Sequence, residues 1–102
     1  YYSYSNETYH ISQTLNLKYF NDFVLTDEAK NEEIRGSWNR TTKRIYDEIN
    51  ESYYYEFRII LTFYKENDER ATYNFVLSEN EKKLTEEFIY KPSGEYRVFE
   101  KN

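Results

Sequence analysis

Very few side chains in this sequence are equipped for catalysis. His10 is the only imidazole among 102 residues, and there is no cysteine. A Ser-His hydrolase needs its base beside a nucleophile on a fixed turn, and no G-x-S-x-G is present. P-loops, dinucleotide fingerprints and H-E-x-x-H are absent too, and the only two glycines, Gly36 and Gly94, are too far apart to cradle a phosphate. Lack of cysteine excludes thiolate zinc, iron-sulfur ligation and disulfides. Adjacent acids occur at Asp27-Glu28, Glu32-Glu33, Asp47-Glu48 and Glu86-Glu87, as 19 acidic residues make inevitable. Glycoside chemistry needs two carboxylates facing a cleft with one pKa raised by burial, and nothing selects such a pair. Asn67-Asp68-Glu69 is too short for a calcium loop. The expectation is a protein that is not an enzyme, with no metal and no cofactor.

Recognition chemistry is better represented. Aromatic residues make up 21% of the chain, with 13 tyrosines, and Tyr53, Tyr54 and Tyr55 stand in succession. In a strand these three alternate faces, so at least one ring lies outside the core. Tyrosine joins a large apolar ring to a hydroxyl at low rotamer cost, which suits protein contacts and sugar stacking. A chain without methionine and poor in leucine also uses Tyr as core or sheet-face filler, and that is the competing reading of most of the thirteen.

Charge narrows the partners. Nineteen acids against 14 bases give a net charge of −5, a field that repels nucleic acid and anionic lipid within a Debye length of about 8 Å. No nucleic acid is expected. The longest strongly apolar run is Ile59-Ile60-Leu61, against about 20 residues for a spanning helix, so no membrane insertion is expected. Arg35, Arg40, Lys43 and Arg44 fall together without an intervening acid. We read them as a solvated face or as partners of neighbouring acids, with a phosphate or partner patch as the alternative.

The elements that must position these residues are mostly strands. Leu, Ile, Val and Phe number 23, above the roughly 20% floor below which such a chain stays disordered. No linker or repeat divides residues 1–102, so one domain is expected, burying about two thirds of its surface. Tyr9, Ile11, Leu15, Leu17 and Tyr19 share one parity of a half-buried strand. Phe57, Ile59, Leu61 and Phe63 share one face of a central strand. The polar cluster at 65–69 turns it into a second run, Ala71, Tyr73, Phe75 and Leu77. Lys91-Pro92-Ser93-Gly94 is a turn before a final strand at 96–99.

Three stretches carry helix signals. Thr26-Asp27-Glu28 offers a cap and Arg35-Gly36 an end, predicting a short helix over 27–35. Ile45, Ile49 and Tyr53 recur at four-residue spacing, predicting a helix between Asn39 and Ser52. Ser78 to Glu81 reads as a capping box that would start a helix over 79–90, yet Phe88-Ile89-Tyr90 suits a strand, and we take 78–83 as a loop and 84–90 as strand. The fold class expected is mainly β, an antiparallel meander sheet or small barrel with one or two short helices; α+β is the alternative.

Ile34 with Gly36-Ser37-Trp38 resembles the G-x-W signature of calycins, and Gly94 through Lys101 (GEYRVFEK) looks like the last strand of small bacterial lipocalin-like domains. In that family the Trp closes one end of a barrel and a basic residue of the last strand stacks on it. The resemblance thus implies Trp38 and Arg97 as such a pair, a guanidinium over an indole being worth about 0.5 to 2 kcal/mol. Eight strands need more chain than follows Gly36, which excludes an ordinary lipocalin beginning at Trp38. A smaller or rearranged barrel, with the 9–19 strand as a wall, fits.

The first functional reading is a non-enzymatic, extracytoplasmic binding or assembly module. Its Tyr-rich β surface or barrel mouth (Trp38, Tyr53, Tyr54, Tyr55, Arg97) would meet a protein, a glycan or a small apolar ligand. Self-association would use an open edge such as 9–19. The first residue is Tyr1 and not an initiator Met, which we read as processing for export. Three sequons at Asn6, Asn39 and Asn50 exceed the roughly 1.5 expected by chance and point the same way. The alternative is a cytoplasmic, acidic inhibitor or immunity-type protein whose acids at 28–33 and 79–87 engage a basic target.

Overall fold

A computed structural model describes residues 2–6, 12–87 and 96–102 of the chain. His10, Tyr9, Ile11, the 88–90 segment and the Lys91-Pro92-Ser93-Gly94 turn lie outside the described residues. Eight antiparallel strands follow one another in chain order and close into a barrel. They are β1 (Tyr2–Asn6), β2 (Gln13–Leu17), β3 (Asp22–Asp27), β4 (Glu32–Asp47), β5 (Ser52–Tyr64), β6 (Arg70–Leu77), β7 (Lys83–Glu86) and β8 (Val98–Lys101). The expected mainly β, antiparallel barrel is present, as is the central strand β5 between β4 and β6. Among the described residues no helix is long and apolar enough to cross a membrane.

The expected helices are absent. Residues 27–35 form the β3–β4 hairpin, with a turn at 28–31, and the stretch between Asn39 and Ser52 is the outer part of β4 with its turn at 48–51. A 3-10 turn, Tyr19–Asn21, joins β2 to β3. The misleading signals were local polar chemistry shared by helix caps and hairpin turns. Asp27 accepts from the Lys30 amide (3.1 Å), and Asp47 accepts from the amides of Ile49 (3.0 Å) and Asn50 (3.3 Å). Ser78 likewise accepts from the Lys83 amide (3.0 Å). With so few glycines, left-handed positions among the described residues go to Asn31, Glu51, Asp68 and Glu81, one in each of the turns after β3, β4, β5 and β6, and to Phe20 and Asn21 between β2 and β3.

Gly36 was expected at a helix end and stands instead inside β4, opposite Phe23. A Cβ there would lie 2.1 Å from the Thr62 carbonyl oxygen and 2.8 Å from Cε1 of Phe23. Close approach of three strands therefore fixes glycine at this position. Inside, Leu15, Leu17, Phe23, Leu61, Phe75, Leu84 and Phe99 are fully buried, and Phe75 meets Phe99 edge-on at 5.5 Å. These side chains pack the interior between the described strands, as eight strands allow.

Closure pairs β2 on both sides, with β1 and β3. The described part of the 9–19 strand is thus no open edge, contrary to expectation. Free edges lie elsewhere. β3 pairs β4 only as far as Ser37, and β6 pairs β5 only from Phe57 onward. Beyond those points 43–47 and 52–56 pair, among the described residues, with each other alone, and the hairpin leaves the barrel as a two-stranded ribbon. The long dimension of the molecule is 47 Å against 32 and 30 Å across.

Candidate functional site: the projecting ribbon

Cross-strand register sorts the ribbon into two faces, because directly opposed residues point the same way. One face continues the barrel interior outward through the pairs Trp38–Leu61, Arg40–Ile59, Thr42–Phe57, Arg44–Tyr55 and Tyr46–Tyr53. The other carries Lys43–Glu56 and Ile45–Tyr54. Leu61 and Ile59 are buried; past them the same face turns to solvent, with Phe57 38% and Tyr55 65% exposed. Tyr53, Tyr54 and Tyr55 all stand outside the core, Tyr53 and Tyr55 on the inner face and Tyr54 on the outer.

Arginines hold the inner-face rings. The Arg40 guanidinium lies 4.7 Å from the Phe57 centroid, Arg44 lies 3.7 Å from that of Tyr53, and the rings of Tyr46 and Tyr53 are 5.0 Å apart. Each contact is worth about 0.5 to 1 kcal/mol at an exposed site. Together with the rigid barrel below, they order a ribbon that would be marginal alone. Asp47 fixes the tip: the amides of Ile49 and Asn50 and the Asn50 side chain (2.8 Å) hold its carboxyl below the usual Asp value.

Neighbouring groups at this end extend the surface. The mouth is bridged by Arg40 to Glu81 (2.7 Å), and the buried Tyr4 hydroxyl donates to the Glu81 carbonyl (3.1 Å). Burial, with Glu81 close by, pushes the Tyr4 phenol above its ordinary pKa. In the β2–β3 turn, Phe20 is 97% exposed and its φ of 62° is left-handed, a conformation costing roughly 1 to 2 kcal/mol outside glycine. Of the eleven exposed large apolar residues among those described, all but Tyr64 and Tyr96 sit at the ribbon end.

Trp38 and Arg97 are not brought together. Trp38 belongs to the ribbon end, half buried, its indole N–H donating to the Lys18 carbonyl (3.0 Å). Arg97 precedes β8 at the opposite end. It stacks on Tyr73 (4.4 Å), pairs with the buried Glu86 and donates to Gln13 (3.5 Å). A recess of about 220 Å³ there is lined by Gln13, Asp27, Lys30, Glu32, Tyr73 and Arg97 among others. Its guanidinium is already committed within the chain. No group of three His, Cys, Asp or Glu able to hold a metal occurs among the described residues.

Sequence reasoning named the three successive tyrosines but missed Tyr46, Phe57, Arg40 and Arg44 as their neighbours. The signal was the alternation Trp38, Arg40, Thr42, Arg44, Tyr46, a strand face in which ring and cation recur every second residue. Of the four clustered bases, Arg35 pairs with Glu33 (3.0 Å) and Arg40 with Glu81. Among the described residues Lys43 makes no salt bridge, and Arg44 turns its charge to Tyr53. No family model, curated protein or solved structure matches the chain.

Proposed function

We propose that this protein is a non-enzymatic binding module that engages a protein partner through the inner face of the β4–β5 ribbon. The observation that carries the reading is the row Phe57, Tyr55, Tyr53 and Tyr46, outside the barrel and held by Arg40 and Arg44. Tyr and Arg are the residues enriched where binding energy concentrates. A face already ordered before contact loses less entropy on docking than a mobile one. The packed core favours this exposed surface over an apolar ligand held inside.

An extracytoplasmic setting is part of the proposal, supported by the solvent-exposed positions of Asn39 and Asn50, the sequon asparagines on β4 and at the ribbon tip. A calycin-like relation is compatible with the closed barrel and with the crowded Gly36 two residues before Trp38, while the separation of Trp38 from Arg97 departs from it. The acidic-inhibitor alternative draws less support, because Glu33, Glu81, Glu86 and Glu87 each pair with an arginine of the same chain.

The test uses a random-peptide display library and a glycan array as probes, against the wild type and a Tyr53→Ala/Tyr54→Ala/Tyr55→Ala variant with an unchanged β-type circular dichroism spectrum. The reading expects peptide binders that lose at least tenfold in affinity on the variant. Binders indifferent to the three substitutions would overturn it, and glycan hits without peptide hits would move the partner class to carbohydrate.

A further inference from the structure

We infer that the ribbon's occupant is a second copy of this chain, docked inner face to inner face about a two-fold axis beside Tyr46 and Tyr53. The inference rests on the contact-face reading above and adds the partner.

Charge placement along the ribbon is the first argument. Arg44 lies on the barrel side of Tyr46 on the inner face, with Lys43 beside it on the outer face; Glu48 and Glu51 lie on the tip side, exposed, and among the described residues Arg44, Glu48 and Glu51 form no salt bridge. Tyr46 is midway in sequence between Arg44 and Glu48. On the facing strand Tyr53 is midway between Glu51 and Tyr55, the residue opposite Arg44. A two-fold rotation at this level lays Arg44 of each ribbon towards Glu48 and Glu51 of the other, a self-complementary arrangement of the kind an isologous interface requires. It also brings the Tyr46–Tyr53 pair against its own mate on the axis.

Geometry and area agree with it. At about 3.4 Å per residue the tip lies roughly 10 Å beyond the axis. The second tip, carrying the exposed Ile49, therefore reaches only the level of residue 43 and stops short of the barrel mouth. At about 200 Å² per ring, the exposed fractions of Tyr46, Tyr53, Tyr55 and Phe57 offer roughly 400 Å² per copy. That is about half of the ~800 Å² a side of a standard interface. Flanking charged stems supply part of the remainder, so the dimer is weak and reversible.

Light scattering and sedimentation from 5 to 500 μM on the full chain test this. Wild type should pass from monomer to dimer over that range. Arg44→Glu and Glu48→Lys/Glu51→Lys should each be monomeric alone, and an equimolar mixture of the two should dimerise, because opposite charges then meet on both sides of the axis. Tyr46→Ser, which acts twice at the axis, should weaken dimerisation at least tenfold and serves if a charge-reversed chain fails to fold. A monomeric wild type, a mixture that stays monomeric, or an unchanged dimer in Tyr46→Ser would overturn the second-copy assignment. A monomeric wild type that still binds peptide probes through Tyr53 and Tyr55 would leave the contact-face reading standing with another partner. A dimer that persists in Tyr46→Ser/Tyr53→Ser/Tyr55→Ser would contradict the face itself.

Discussion

The Arg44 guanidinium rests 3.7 Å from the centre of the Tyr53 ring, reaching diagonally past Tyr55, its direct partner on the facing strand. An ammonium could not reproduce this planar stacking. The contact ties the two strands together where no third strand supports them, and it holds the ring in place before any partner arrives.

Arg44→Ala is therefore expected to loosen the ribbon and leave the barrel alone. A loss of about 1 kcal/mol corresponds to roughly fivefold faster amide exchange over 43–47 and 52–56, with the amides of Phe75 and Phe99 unchanged. Hydrogen exchange by NMR checks it; uniform acceleration across both regions would show that ribbon and barrel open as one unit.

Gly36→Ala should be among the most damaging single changes. A methyl 2.1 Å from the Thr62 carbonyl cannot be relieved by rotating a side chain, since the obstacle is backbone. Overpacking costs typically about 1 to 3 kcal/mol and occasionally more, and we expect at least 3. Urea denaturation followed by Trp38 fluorescence measures it, and a loss under 1 kcal/mol would contradict the crowding.

Glu86→Gln should cost about 2 to 4 kcal/mol by leaving Arg97 without its buried counter-charge. The pair as such is worth less than its rupture, so Glu86→Leu/Arg97→Met should recover most of the loss. Chemical denaturation of the single and double variants decides; an additive double variant would show that the two residues act separately.

Acid should loosen the ribbon tip only at low pH. The Asp47 carboxyl is held below its ordinary value of 3.8 by hydrogen bonds from Asn50 and Ile49. With the folded value depressed, the carboxylate's contribution is complete above 3.8 and disappears as pH falls through the lower folded value. Turn amides at 48–51 should stay ordered at pH 4 and loosen only as the pH drops beneath 3.8. Asp47→Asn should remove that pH dependence, and NMR titration of both chains measures it.

The parts of the fold that were legible are those with one buried face. Ile59, Leu61 and Phe63, like Phe75 and Leu77, alternate strictly because every second side chain enters the core. The ribbon was illegible for the opposite reason: neither face is buried, so no core imprints a period on it. The four-residue spacing of Ile45, Ile49 and Tyr53 joins an outer-face residue, a tip residue and an inner-face residue, and reflects no shared surface. Asp27 and Asp47 looked like helix caps because a short carboxylate satisfies amides two or three residues on in either context. That at least one of Tyr53, Tyr54 and Tyr55 stands outside the core was legible from strand geometry alone, whereas the place of Arg97 on Tyr73 followed from barrel closure, which no local pattern encodes.

Excision of the ribbon is the most direct test of its role as the contact surface. Thr42 and Phe57 are directly opposed, so residues 43–56 can be replaced by Asn-Gly, the two-residue turn that suits a hairpin. The shortened chain should keep the β-type spectrum and the thermal midpoint of the parent while losing both concentration-dependent association and binding to the peptide probes. Association and binding that persist in the folded, shortened chain would contradict the ribbon's role. A chain that no longer folds would show that the ribbon supports the barrel and does not serve as its contact arm.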